Sequence, residues 1–146
     1  MWYFGGRFLP LDLSNNAMQD IEIYIREPAI RRVLGWLASE LGELEEVTLD
    51  GAKPGVRSFR AVAQSPTIPV MIHQAVEGSA YTGIWFNAGN TPWASDADCA
   101  RAAFAAFSLP VQCDPGPEHN GQDEFLRIDD KGERLVTLKG GQLGNA

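Results

Sequence analysis

Tyr81–Cys113, YTGIWFNAGNTPWASDADCARAAFAAFSLPVQC, reads as a strand, a turn, a capped helix and a returning strand, and the rest of the 146-residue chain is organised around it. Ile84 and Phe86 alternate with Gly83, Trp85 and Asn87. This two-residue period puts large apolar groups on one face of a strand and a mixed aromatic and polar set on the other. One face is built to pack, and the other is free to bind. Ala88-Gly89-Asn90-Thr91-Pro92 ends the strand with turn formers. Ser95, with Asp98 three residues on, forms a relative of the capping box. A helix from about Asp96 to Phe107 follows, with Ala100, Ala103, Phe104 and Phe107 on one side. Pro110 cannot continue it, so the chain returns as the strand Val111 to Cys113.

Working outward, Asp20 to Arg26 alternates Ile21, Ile23 and Ile25 with Glu22, Tyr24 and Arg26, the pattern of a strand with one buried face. Glu27-Pro28 then opens a helix with proline in its first turn. Ile30, Val33, Leu34, Leu37, Leu41 and Leu44 recur at helical spacing, Trp36 packs at the flank of that stripe, and Gly42 is the stop. Glu45 to Asp50, Val56 to Gln64 and Ile68 to Val76 read as three further strands. After Cys113, Glu124 to Ile128 and Glu133 to Leu138 are joined by the turn Asp129-Asp130-Lys131-Gly132. Each half thus reads strand, helix, strand, strand, strand, and the segments LEEVTLD and LPVQCDPG echo one another behind the two helices. The expected fold class is α+β: two tandem βαβββ modules with a mixed curved sheet and two main helices. The expected organisation is an N-terminal arm or extension over 1–17, one domain over 18–139 with halves at about 20–77 and 80–138, and a flexible tail over 140–146.

The net charge of −7 argues against nucleic acid as a partner, since phosphate recognition needs a basic patch and only Arg31-Arg32 adjoin. A cationic ligand or a basic partner surface is electrostatically easier. No apolar run approaches the roughly 20 residues of a membrane span. The opening MWYFGGRFLPLDLSNNA lacks the basic leader, apolar core and cleavage site of a signal peptide, so a cytoplasmic location is expected, with no membrane partner. Cys99 and Cys113 are brought to similar heights by the helix and the returning strand, at about 12 Å of rise each. They can pair or remain two reduced thiols; a cytoplasmic location favours the thiols. With two scattered histidines they do not make a zinc site.

The order of elements from about Asp20 to Leu138, with the ending FLRIDDKGERLVTL, resembles the vicinal oxygen chelate superfamily, which includes glyoxalase I, extradiol dioxygenases and bleomycin-resistance proteins. The short Glu77-Gly78-Ser79-Ala80 link departs from that pattern and looks more like a hairpin. The resemblance implies that each module bends a sheet around a cleft, with the helices outside. Glu22, Tyr24, His73, Trp85, Asn87, Arg127 and Thr137 would then line the cleft. It also implies metal ligands on the outer strands. Glu22 and His73 could supply two, but the strand at Tyr81 offers no His or Glu and the last strand places Val136 and Thr137 where a carboxylate would be wanted, so no metal, no cofactor and no catalytic residue is assigned.

The candidate ligand-binding residues are Tyr24, His73, Trp85, Asn87 and Trp93, with Trp85 and Trp93 as a stacking clamp for an aromatic or cationic small molecule. The other role open to Trp93 is to plug the N-terminal end of its helix, and His73 is equally readable as a structural residue. Asp96 and Asp98 complement the helix dipole. The sequence therefore points first to a metal-free small-molecule binding protein, with a homodimer natural for two curved sheets. Its alternatives are a small acidic interaction protein of immunity or inhibitor type and a metal-dependent lyase or dioxygenase.

Overall fold

The computed structural model describes residues 20–116 and 124–137. The aromatic segment 1–17, the loop carrying His119 and the tail 140–146 lie outside the described residues. The elements run β1 (Ile21–Arg26), α1 (Ile30–Leu41), β2 (Leu44–Val47), β3 (Val56–Ala61), β4 (Ile68–His73), a short 3₁₀ turn (Val76–Gly78), β5 (Tyr81–Phe86), α2 (Asp96–Phe107), β6 (Val111–Cys113), β7 (Glu124–Asp129) and β8 (Gly132–Thr137). The α+β class and the two helices are as read from the sequence. No helix among the described residues is long and apolar enough to cross a membrane.

All eight strands form one sheet in the order β2-β3-β4-β5-β1-β6-β7-β8, and every neighbouring pair is antiparallel. The expected mixed sheet is therefore corrected to an antiparallel one. The expected tandem repeat is not present in the pairing either. Both halves run strand, helix, three strands, but the strand after α1 goes to an outer edge while the strand after α2 goes to the centre, beside β1. The short link before β5 causes the difference. Val76 and Gly78 make a single turn, with Ala75 at φ 50° and Gly78 at φ 78°. A connection that short can only join antiparallel neighbours, so β5 folds back against β4 and the two halves merge.

The isoleucines of β1 point to one side. They share a single core with Val33, Trp36, Leu37 and Leu41 of α1, Cys99, Ala100, Ala103 and Phe107 of α2, and Ile72, Ile84 and Val111 of the sheet. Both helices therefore cover the same face. The caps follow the local chemistry. Ser95 Oγ accepts the backbone N–H of Asp98 at 3.1 Å, and Asp96 and Asp98 sit in that first turn, where the dipole favours them. α1 begins later than Glu27-Pro28 suggested, because Glu27 adopts φ 46° and donates its N–H to the carbonyl of Ala80 at 2.8 Å. The chain turns there before Ala29 caps the helix.

Gly42 ends α1 at φ 88° and ψ −165°, with its N–H on the Ala38 carbonyl. That region is open to glycine alone, and a Cβ there would sit 2.9 Å from Cβ of Ala63. Gly42→Ala is expected to cost about 1–3 kcal/mol in urea unfolding, whereas an unchanged midpoint would mean that the α1–β2 corner relaxes freely.

Candidate functional site

With both helices on one side, the other face of the sheet is where polar and aromatic groups accumulate. The register defines its rows. One runs Val56, His73, Gly83, Tyr24, Gln112, Arg127, Arg134, and the next runs Val47, Ser58, Met71, Trp85, Glu22. Gly83 faces Tyr24 across the β1–β5 pair.

The two wings of this face differ. Towards β6 and β7 it is closed: Tyr24, Tyr81, Gln112 and Phe125 are buried, with Val76 of the 3₁₀ turn in the same cluster as the tyrosines. Buried polar groups need partners, and here they hold one another. Tyr24 donates its hydroxyl to Glu22 Oε2. Gln112 Nε2 donates to the Tyr81 hydroxyl at 2.6 Å, and Arg127 Nη1 donates to the same oxygen at 3.2 Å. Burial pushes the Tyr81 hydroxyl above its ordinary value, against the opposing pull of Arg127. Asp129, whose side chain is 8% exposed, accepts from Arg127 Nε at 3.0 Å, from both terminal nitrogens of Arg134 at 2.9 Å and from the Lys131 backbone N–H at 2.9 Å. These donors, the Arg134 guanidinium foremost, hold its carboxyl far below the usual carboxylate range.

Towards β2, β3 and β4 the same face is open. Val47, Ser58, Met71 and Trp85 are each half-buried, and Pro69 and Arg60 are exposed. Trp85 donates its indole N–H to Asp20 Oδ2 at 2.8 Å, which fixes the ring between Met71 of β4 and Glu22 of β1.

Of the residues singled out from the sequence, Tyr24, His73 and Trp85 do share this face. Asn87 lies past the end of β5, exposed, with its backbone N–H on the Pro69 carbonyl at 3.0 Å. Trp93 is on the opposite side. It stacks on Trp36 of α1 at 5.5 Å between ring centres and meets Phe86 edge-on at 5.1 Å. The stacking clamp of Trp85 with Trp93 is thus corrected: the sheet separates the two rings, and Trp93 joins the helix-side core. Thr137 also belongs to that side, in register with Glu124 and on the same face as Glu133, which binds Arg101 of α2.

Glu22 and His73 stand two strands apart with β5 between them. Among the described residues no group of three His, Cys, Asp or Glu side chains is placed to hold a metal ion. Tyr81, Gln112, Asp129 and Arg134 were not singled out as site residues. Their only sequence signal is alternation with Val111, Cys113 and Ile128, and it becomes readable once the register is known. Cys99 and Cys113 are both buried and are not joined in a disulfide. Burial, then Asp96 and then Cys113 push the Cys99 thiol well up, which makes it a poor nucleophile.

Two substitutions test this division of labour. Trp93→Ala is expected to lower stability by about 2–4 kcal/mol as a core truncation, and Trp85→Ala by less; the reverse order in chemical denaturation would put Trp93 at a surface. Asp129→Asn is expected to cost about 2 kcal/mol at neutral pH, through charge-assisted hydrogen bonds lost at once. The Asp129 carboxyl is depressed in the folded state. Its contribution is therefore complete above the unfolded carboxylate range near pH 4 and fades as pH falls towards the folded value. Urea midpoints taken down a pH series should thus fall less steeply in Asp129→Asn than in the wild type. Parallel curves would show that the arginines do not depend on that charge.

No family model, no curated protein and no solved structure matches the chain.

Proposed function

We propose that this chain is a protein-interaction module that covers a basic surface of another protein, in the manner of a small inhibitor or immunity protein. The observation that carries this reading is the distribution of charge. Arg57, Arg60, Arg101, Arg127 and Arg134 are each held by a carboxylate of the same chain. Arg32 is turned onto the Ala106 carbonyl at the end of α2. Glu40, Glu43, Asp50 and Asp130 are exposed and make no ion pair among the described residues. Most of the described arginines are thus held internally, with Arg31, Lys53 and Lys131 left as exposed cations, and the whole chain carries a net charge of −7. Such a surface repels polyanions, attracts cationic proteins and accelerates their encounter.

The small-molecule reading has one observation in its favour. Gln112 Oε1 is buried and accepts no hydrogen bond, so a donor group lodged beside Tyr81 would satisfy it. With Trp93 in the core, however, the aromatic clamp that would close such a site is missing.

The test is co-expression of the chain with the products of the genes that flank its own, followed by affinity capture. A stoichiometric protein complex is expected, competed by heparin and weakened steeply between about 50 and 500 mM salt, as screening dictates. A complex indifferent to salt and heparin, or a native mass showing one retained small molecule per chain and no protein, would overturn the proposal.

A further inference from the structure

We infer that the docking surface is the helix-free face of β2, β3 and β4, bounded by Trp85, and that its occupant is a protein patch of apolar side chains flanked by lysine or arginine. This rests on the interaction reading above and adds the surface and its chemistry. The first support is the contrast between the wings. The face under β6 and β7 is closed by Tyr24, Gln112 and Phe125, whereas the row Val47, Ser58, Met71, Trp85 lies half-open across four adjacent strands. Three strand spacings by the length of a six-residue strand give roughly 300 Å² in projection. An apolar patch of that order is the largest a typical monomer exposes, and such a patch is often functional.

The second support is the placement of exposed apolar groups. Among the described residues the large hydrophobic side chains left exposed are Leu49 at 48%, Val62 at 40% and Leu135 at 42%. Leu49 follows β2 and Val62 follows β3, so they mark opposite ends of one ribbon. Leu135 lies on the far edge strand, in register with Leu126 on the helix side. Methionine, tryptophan and arginine, the types enriched at interfaces, stand on or beside that ribbon as Arg60 of β3, Met71 of β4 and Trp85 of β5. Trp85 is already fixed by Asp20, so it presents an anchor with little ordering left to do.

The third support is charge. Asp50 follows Leu49 in the chain, and the Glu43 carbonyl accepts the Val62 backbone N–H at 3.2 Å, so an exposed acidic residue stands next to Leu49 in sequence and another opposite Val62 across the ribbon, and neither makes an ion pair among the described residues. A cation next to an apolar side chain complements that pattern at both ends. A second copy of this chain would bring the same carboxylates instead, and like charges across an interface oppose association.

The test uses a short synthetic peptide of alternating lysine and leucine as the probe, titrated into the full chain at low salt and read by backbone amide and indole shifts. Perturbations are expected on β2, β3 and β4 and at the Trp85 indole. Leu49→Lys with Val62→Lys, both at exposed sites, should weaken the peptide about tenfold or more, a hot-spot effect. Leu135→Lys should leave it unchanged. Binding that Leu135→Lys weakens as much as the double substitution overturns this surface while leaving the interaction reading intact. No binding at all overturns both. Shifts on the same amides that grow with protein concentration alone would assign the face to a second copy. Shifts produced without peptide by Trp2→Ala with Phe4→Ala would assign it to the chain's own N-terminal segment. Either result overturns the inference.

Discussion

The pairing of β1 with β5, in full register from Ile21 opposite Phe86 to Arg26 opposite Tyr81, is the constraint on which the rest of the structure depends. The short link after β4 forces β5 to fold back on the first half, and β1 then takes the free side of β5. From this central antiparallel pair the handedness of the crossovers does the rest. Counting the antiparallel pairs, β2 runs parallel to β1 and β6 parallel to β5, so α1 and α2 are each part of a crossover connection. The two crossovers start from oppositely directed strands and travel to opposite sides of the sheet. Right-handed connections of that kind must place both helices on the same face. The exposed second face is a direct consequence of where β5 pairs.

The helix side is then filled by a single core whose aromatic members tie the two helices together. Trp36 of α1 meets Trp93 just ahead of α2 and Phe107 at its end, and Arg32 lies over Phe107 while donating to the Ala106 carbonyl. Arg32 thus serves α2 as a C-terminal cation, so α1 stabilises its neighbour electrostatically as well as by packing. Among the described residues no helix covers the other face of the antiparallel sheet, and such sheets alternate buried with solvated residues. β3 and β4 follow that rule on both faces. β1, β6 and β7 depart from it, because Tyr24, Gln112 and Phe125 are buried on the side away from the helices. The departure concentrates a buried polar network at one end and leaves the other end open.

What the sequence made legible was local. Ile21, Ile23 and Ile25 announced β1 by their period, Ser95 and Asp98 announced the start of α2, and Gly42 and Pro110 marked the helix ends. Each of these rests on interactions within a few residues. The order of strands was not legible, since Leu44 to Val47 and Val111 to Cys113 look equivalent behind their helices yet reach opposite ends of the topology. Trp93 was misread for the same reason. Whether a loop tryptophan faces a cleft or a core is decided by Trp36, far away in sequence, and by the face that Phe86 takes once β5 is paired. Thr137 fell on the wrong side because its face depends on the register with Glu124, which alternation within β8 does not reveal.

The surface ion pairs show how stability and recognition separate in this fold. Glu46 with Arg57 and Glu45 with Arg60 join β2 to β3 on opposite faces of the same ribbon, and Arg101 links α2 to Glu133 of β8. Exposed pairs of this kind contribute about 1 kcal/mol or less each, too little to explain why the second sheet edge stays in place. Their larger effect is on the field outside the protein. Each arginine bound by an internal carboxylate is withdrawn from the surface potential along with its partner. What remains is set by the exposed groups without such a partner among the described residues, carboxylates such as Glu43 and Asp50 and the cations Arg31, Lys53 and Lys131. The antiparallel pairing of β2 with β3 thus matches glutamates to arginines and cancels their charges on both faces of the ribbon.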